Sequence, residues 1–197
     1  MRVSTRREFV AGPAGKIECA VDSPSGTARG AALVAHPHPQ FGGTLDNKVV
    51  QTLAKAFVEL GYEAWRPNFR GIGASEGSYD EGKGEVDDLF AVSEKISSGK
   101  IVLAGFSFGA AMQAMLSVKV KPERMVLVGV AVSNFTVPKV PADTLVIHGE
   151  QDDTVPLAAV LEWARPQELP VVLVPGADHF FHRKLHLLRG IVLANWH

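Results

Sequence analysis

The stretch Ile101-Val102-Leu103-Ala104-Gly105-Phe106-Ser107-Phe108-Gly109-Ala110-Ala111-Met112-Gln113-Ala114-Met115-Leu116 reads as a strand, a tight turn and a helix. At its centre is Gly-x-Ser-x-Gly, with Ser107 between Gly105 and Gly109. A serine hydroxyl is a poor nucleophile unless it is positioned beside a base. A sharp strand-to-helix turn exposes its Oγ, and the flanking glycines leave room for that turn and for close backbone packing. The helix start at Phe108 also aims free N–H groups at charge developing on a substrate. The pattern alone is short enough to be a glycine-lined turn with an N-capping serine. The strand before it and the helix after it favour the nucleophile.

On either side, short apolar runs alternate with longer helix-like stretches. Arg7 to Val10 and Lys16 to Val21 read as a hairpin split by the turn Gly12-Pro13-Ala14-Gly15. Ala31 to Ala35 is a wholly apolar strand. A helix is expected from Asp46 or Asn47 to Leu60, because Val49, Val50, Leu53, Ala54, Phe57 and Leu60 recur at helical spacing and Gly61 stops it. Tyr62 to Pro67 leads into a glycine-rich loop, Asn68 to Gly84, followed by a helix from Glu85 to Ile96. Beyond the strand Lys100 to Gly105 and the helix Phe108 to Val118, strands are expected at Arg124 to Val132, Leu145 to His148 and Val171 to Val174. Helices are expected at Leu157 to Ala164 and His182 to Asn195. Apolar strands alternating with helices predict one α/β domain over residues 1–197, its mostly parallel sheet covered on both faces.

A serine on such a turn requires an acid after a later strand and a histidine near the C-terminus. Strand Leu145 to His148 runs into Gly149-Glu150-Gln151-Asp152-Asp153-Thr154-Val155-Pro156, and strand Val171 to Val174 runs into Asp178-His179-Phe180-Phe181. Both loops fall on the sheet edge where parallel sheets bind ligands. His179 is then the base that takes the Ser107 proton, and an aspartate holds its tautomer. Either Asp152 or Asp153 fits the spacing; Asp152 is preferred, with Asp153 facing solvent or capping a helix.

The same residues admit other readings. His179, His182 and His186 share i, i+3, i+7 spacing and could cluster on a helix as metal ligands, but no carboxylate or cysteine falls into register with them. His36 and His38 could also pair on a metal, although the intervening prolines suggest a shaped loop, and His148 reads as a packing residue at a strand end. The glycines Gly71, Gly73 and Gly77 miss the dinucleotide spacing by one, so Asn68 to Gly77 reads as a structural loop that forms at most one wall of the site.

Taken together, His36-Pro37-His38-Pro39-Gln40-Phe41-Gly42-Gly43 through Val50, Asn68-Phe69-Arg70-Gly71 through Gly77, Gly105 to Gly109, Gly149 to Pro156 and His179 to Lys184 resemble small, lidless α/β-hydrolases related to dienelactone hydrolases and serine esterases. The likeness runs from about residue 30 to residue 190. It implies an α/β-hydrolase sheet with Ser107, Asp152 and His179 as its reactive residues. In the family pattern Gly-x-x-Asp-x-x-Val-Pro, the acid falls on Asp152. The sequence departs from the family where a His-Gly loop commonly supplies an oxyanion donor. Here His36-Pro37-His38-Pro39 stands instead, and proline has no N–H. One donor is expected from the backbone of Phe108, the other from His38 or Gln40, with His38 preferred by position. Lids in this superfamily commonly lie between the strand after the nucleophile helix and the strand before the acid. Ser133 to Thr144 is too short for one, so no cap domain is expected. An open pocket walled by those of Phe41, Phe106, Phe108, Phe135 and Phe180 that face it, at least two of the five being expected in the core instead, would suit small or medium acyl esters.

Composition narrows the remaining classes. The 197 residues are 46% hydrophobic and 21% charged, with a formal net charge of −1, which gives no broad attraction to nucleic acid or an anionic membrane. No apolar run approaches the roughly 20 residues needed to span a bilayer. Met1 to Phe9 is charged and lacks the apolar core of a secretory signal, and Cys19 has no partner for a disulfide. A cytoplasmic carboxylesterase without cofactor or metal, acting on a small ester, is the expectation; oligomeric state is unassigned. The alternatives are a thioesterase, amidase or peptidase on the same scaffold, or a non-catalytic binding protein.

Overall fold

In the computed structural model, which describes residues 4–96 and 99–196, eight strands form one sheet in the order β1-β2-β4-β3-β5-β6-β7-β8. Strands β1 (Ser4–Gly12) and β2 (Gly15–Ser23) form the antiparallel hairpin read from the sequence, longer than expected at both ends. Strand β2 also runs antiparallel to β4 (Glu63–Pro67). From β4 onward the sheet is parallel through β3 (Ala31–Ala35), β5 (Ile101–Phe106), β6 (Arg124–Val128), β7 (Leu145–Gly149) and β8 (Val171–Val174).

The central strands carry no polar alternation because both of their faces are covered. Leu33, Leu103, Met125, Leu127 and Val146 pack toward helices α2 (Lys83–Lys95), α3 (Phe108–Leu116) and α4 (Leu157–Ala164). Their neighbours Val34, Val102, Ala104, Val126 and Ile147 pack toward α1 (Lys48–Glu59) and α5 (Leu185–Ala194). Side chains alternate between two apolar layers, so every position must be apolar.

Local chemistry sets the ends of the helices. Asn47 caps α1 by accepting from Val49 N and Val50 N, as its position predicts. Helix α2 begins two residues earlier than expected because the Glu85 carboxylate reaches back to the N–H groups of Asp80 and Gly82. The loop 68–77 is structural, as read. Asn68 binds Leu45 N and Glu18, and Ser75 bridges Glu18 N to the Asn68 carbonyl. Buried Arg70 then grips both Asp88 oxygens at 2.7 and 2.8 Å, a bidentate pair that fixes the loop on α2.

Two further elements have bounds set by an unusual backbone angle. Strand β6 ends at Val128 rather than Val132, because Gly129 turns the chain with φ 53°. Helix α5 begins at Leu185 rather than His182, because Phe181 and Arg183 take left-handed backbone angles. Between Val128 and Leu145 the chain forms neither helix nor strand, so nothing there covers the sheet edge as a cap. No helix among the described residues is long and apolar enough to cross a membrane.

Candidate active site

Four loops meet at the carboxyl ends of the parallel strands, following β3, β5, β7 and β8. Ser107 lies between β5 and α3 with φ 57° and ψ −117°, a strained combination for a residue bearing a Cβ. The surrounding backbone holds it there. Ser107 N donates to Val128 O at 2.9 Å, and Ser107 O accepts from Ala110 N and Ala111 N. A Cβ on Gly109 would collide with the carbonyls of Ala35 and His36, and one on Gly105 with the carbonyl of Gly109. These two glycines let the turn lie directly against β3.

The Ser107 hydroxyl donates to His179 Nε2 at 3.0 Å, and His179 Nδ1 lies 2.7 Å from Asp152 Oδ2. A carboxylate only accepts, so Nδ1 carries the ring proton and Nε2 is left bare toward the serine. Asp152 Oδ1 accepts from Thr154 N and Val155 N at 2.9 and 2.7 Å. Burial pushes the Asp152 carboxyl up, but the bonds from His179 and Val155 outweigh it and hold the group below the usual carboxylate range. His179 is only 2% exposed and packs on the Phe106 and Phe180 rings, whereas Ser107 keeps 8% exposure at the cavity floor. Asp153 faces solvent and touches only the Thr154 hydroxyl.

The structure also separates the two oxyanion-donor candidates. Gln40 N is committed to His38 Nδ1 at 3.3 Å, whereas neither His38 N nor Phe108 N has an acceptor among the described residues. Both of those residues line the cavity with Ser107. Nothing in the residue order marks what His36 does. Its ring is fully buried, with Nδ1 2.6 Å from Pro37 O and Nε2 accepting from Phe69 N at 3.0 Å. In a trans peptide the C=O and N–H point opposite ways, so a donor on Pro37 O fixes the direction of His38 N–H. Gly129, also missed, lies under the site, where a Cβ would come within 3.5 Å of both His179 and Asp152.

Burial without a charged partner pushes the His36 imidazole down to about 4. Below the ordinary value of 6.5 the unfolded chain therefore binds a proton that the folded chain refuses. Stability should fall as pH drops through this window and level off below it, by about 3 kcal/mol in all. Urea midpoints measured across the window test this, and His36→Asn should flatten the slope.

The cavity above Ser107 is about 680 Å³. Of the five phenylalanines proposed as walls, Phe41, Phe108 and Phe135 line it. Phe106 is instead fully buried against the His179 ring, and Phe180 packs edge-on against both. Tyr79 and Glu81, just beyond the structural loop, supply a wall the sequence did not suggest. The histidine triplet does not converge. His179 faces Ser107, His182 bonds Asp178, and His186 lies on α5, because the chain from Phe181 to Arg183 is not helical. His36 and His38 do not pair on a metal either, since the ring nitrogens of His36 and Nδ1 of His38 bind the protein's own backbone.

No family model matches the chain. An uncharacterised protein of Rickettsia prowazekii, RP471, is 32% identical over 193 residues, spanning 88% of this chain and 81% of the relative. Among solved structures, an α/β serine hydrolase homologue from Coxiella burnetii is 38% identical over the full length of both chains, with a TM-score of 0.91. XC6422 of Xanthomonas campestris, an α/β serine hydrolase without a lid, is 36% identical, covers 99% of this chain and 94% of its own, and superposes with a TM-score of 0.90. With identities above 30% over nearly the whole of both chains and no cap over the sheet edge, the chain belongs to the lidless α/β serine hydrolases.

Proposed function

We propose that the protein hydrolyses carboxylic esters of small or medium acyl groups through an acyl-Ser107 intermediate. The observation that carries this reading is the hydrogen-bonded series Ser107, His179, Asp152 beneath an open cavity, beside two uncommitted backbone N–H groups. His179 Nε2 takes the hydroxyl proton as Ser107 Oγ attacks the ester carbonyl. The N–H groups of Phe108 and His38 receive the oxyanion, each donor of this kind contributing about 2.7–4 kcal/mol to the transition state. The intermediate collapses, the C–O bond to the alcohol breaks, and the alkoxide leaves with the proton held by His179. Water then attacks the acyl-enzyme by the same route, releasing the acid and free Ser107.

The size and lining of the cavity support the substrate class. Its volume falls within the roughly 300–1,000 Å³ typical of small-ligand sites. Phe41, Phe108 and Phe135 offer apolar contact, and the lining has the carboxylate of Glu81 but no lysine or arginine. Neutral esters fit such a wall better than substrates with a phosphate or a second carboxylate.

The test compares p-nitrophenyl acetate and butyrate with a thioester and an anilide of the same acyl groups, alongside fluorophosphonate labelling and peptide mapping. The ester should have the highest kcat/KM, and the adduct should map to Ser107. A faster thioester or anilide would reassign the bond that is cut. Folded protein that neither turns over nor labels would point to a binding role instead.

A further inference from the structure

His148, the fourth residue of β7, has a ring with no solvent exposure, and its Nε2 lies 3.0 Å from Val155 O. A carbonyl only accepts, so Nε2 carries the proton and Nδ1 is bare. Nδ1 finds no partner among the described residues. A polar ring held out of water with one nitrogen unpaired is a cost to folding that an aliphatic side chain would not carry. What the ring supplies in return is the donor at Nε2.

That donor acts on the residue that holds the acid. Val155 is gripped at its carbonyl by His148, while its N–H donates to Asp152 Oδ1 at 2.7 Å. The other Asp152 oxygen, which accepts from His179 Nδ1, lies 3.7 Å from His148 Nε2. This is too long for a hydrogen bond but close enough for the N–H dipole to favour the carboxylate. A strand fixed on both sides by parallel neighbours thus reaches through one ring to the loop that carries the acid.

We propose that His148 is a positioning residue for Asp152. It acts as a neutral donor that locks Val155 and, through it, the carboxylate that orients His179. The inference rests on the acyl-serine reading above. The titratable groups facing the ring are Asp152 of its own loop and His179 of the loop after β8. Burial holds the His148 imidazole below its ordinary value against the pull of Asp152, so the ring donates without adding a competing charge.

The experiment compares His148→Leu with His148→Gln, whose amide nitrogen reaches toward Val155 O. His148→Leu should lower kcat about 10-fold to 100-fold with KM nearly unchanged, by analogy with groups standing behind metal-bound histidines. It should also move the acidic limb of the kcat/KM profile to lower pH, because a looser carboxylate stabilises the imidazolium less. His148→Gln should recover most of the rate and the position of the limb, even if both variants melt lower than wild type. If the leucine variant does not fold, His148→Asn takes its place, since its amide stops short of Val155 O. Two results would overturn the proposal: a folded leucine or asparagine variant with wild-type kcat and acidic limb, or a glutamine variant as impaired as the variant lacking the donor. Fluorophosphonate labelling of wild type separates the two levels. If Ser107 does not label, the acyl-serine reading has failed; if it labels and the variants behave alike, only the role of His148 has.

Discussion

Replacing Ser107 by alanine should lower p-nitrophenyl ester turnover by roughly 10⁴-fold or more, with the fold kept. The change removes one oxygen, the atom 3.0 Å from His179 Nε2, which has no other hydrogen-bond partner among the described residues. The bonds that hold the turn run through the backbone of residue 107, from its N to Val128 O and to its O from Ala110 N and Ala111 N. Alanine keeps all of them. It also keeps the Cβ, so the strain at φ 57° is neither relieved nor increased, and the melting temperature should hardly move. Residual turnover above the uncatalysed rate is expected, because the Phe108 and His38 N–H groups, the proposed oxyanion donors, are unchanged. Equal rates in wild type and variant would remove Ser107 from the reaction.

Asp152→Asn should cost about as much, near 10⁴-fold, although it changes neither size nor shape. The reason lies in how the two carboxylate oxygens are used. Oδ1 already accepts two backbone N–H groups, so an asparagine must keep its oxygen there. Its NH₂ group then faces His179 Nδ1, where Oδ2 had been. A donor at that point drives the ring proton to Nε2, and the serine loses its acceptor. Asp153→Asn is the matched control. It changes the same functional group one residue away, on a side chain that bonds only Thr154, and should leave kcat/KM near the wild-type value. Comparable losses in the two variants would mean that charge near the site, not the tautomer of His179, is what matters.

The two substitutions also mark how far the sequence could be read. Ser107, Asp152 and His179 were legible because each follows an apolar strand, and parallel strands deliver such loops to one edge. Sheet class was legible for the same reason, through the unbroken apolar runs of β3 and β5. Less was visible where one residue type takes an unusual backbone angle. Gly129 sits within an apolar run that continues to Val132, so nothing marks the end of β6, and Phe181 and Arg183 are not residues that announce a left-handed turn. That at least two of the five phenylalanines pack away from the cavity was legible, but not which two; alternation along β5 turns Phe106 against His179 rather than into the cavity. The roles of His36 and His148 were hidden for a different reason. Each depends on which nitrogen finds a carbonyl, a matter of ångströms that residue spacing does not encode.

His179, the proposed base, rides on an edge of the sheet. His179 follows β8, which pairs on one side only, with β7, while Ser107 and Asp152 follow strands paired on both. Opening is not uniform across a fold, and a terminal strand with its covering helix can detach at less than the global cost. Release of β8 and α5 would carry off the imidazole, together with the Val174 and Ala177 carbonyls that hold Glu150 N and Gln151 N beside Asp152, while the turn of Ser107 stays on a strand paired on both sides. The molecule can thus pass through a sub-globally open form that has kept most of its sheet and lost its proton acceptor.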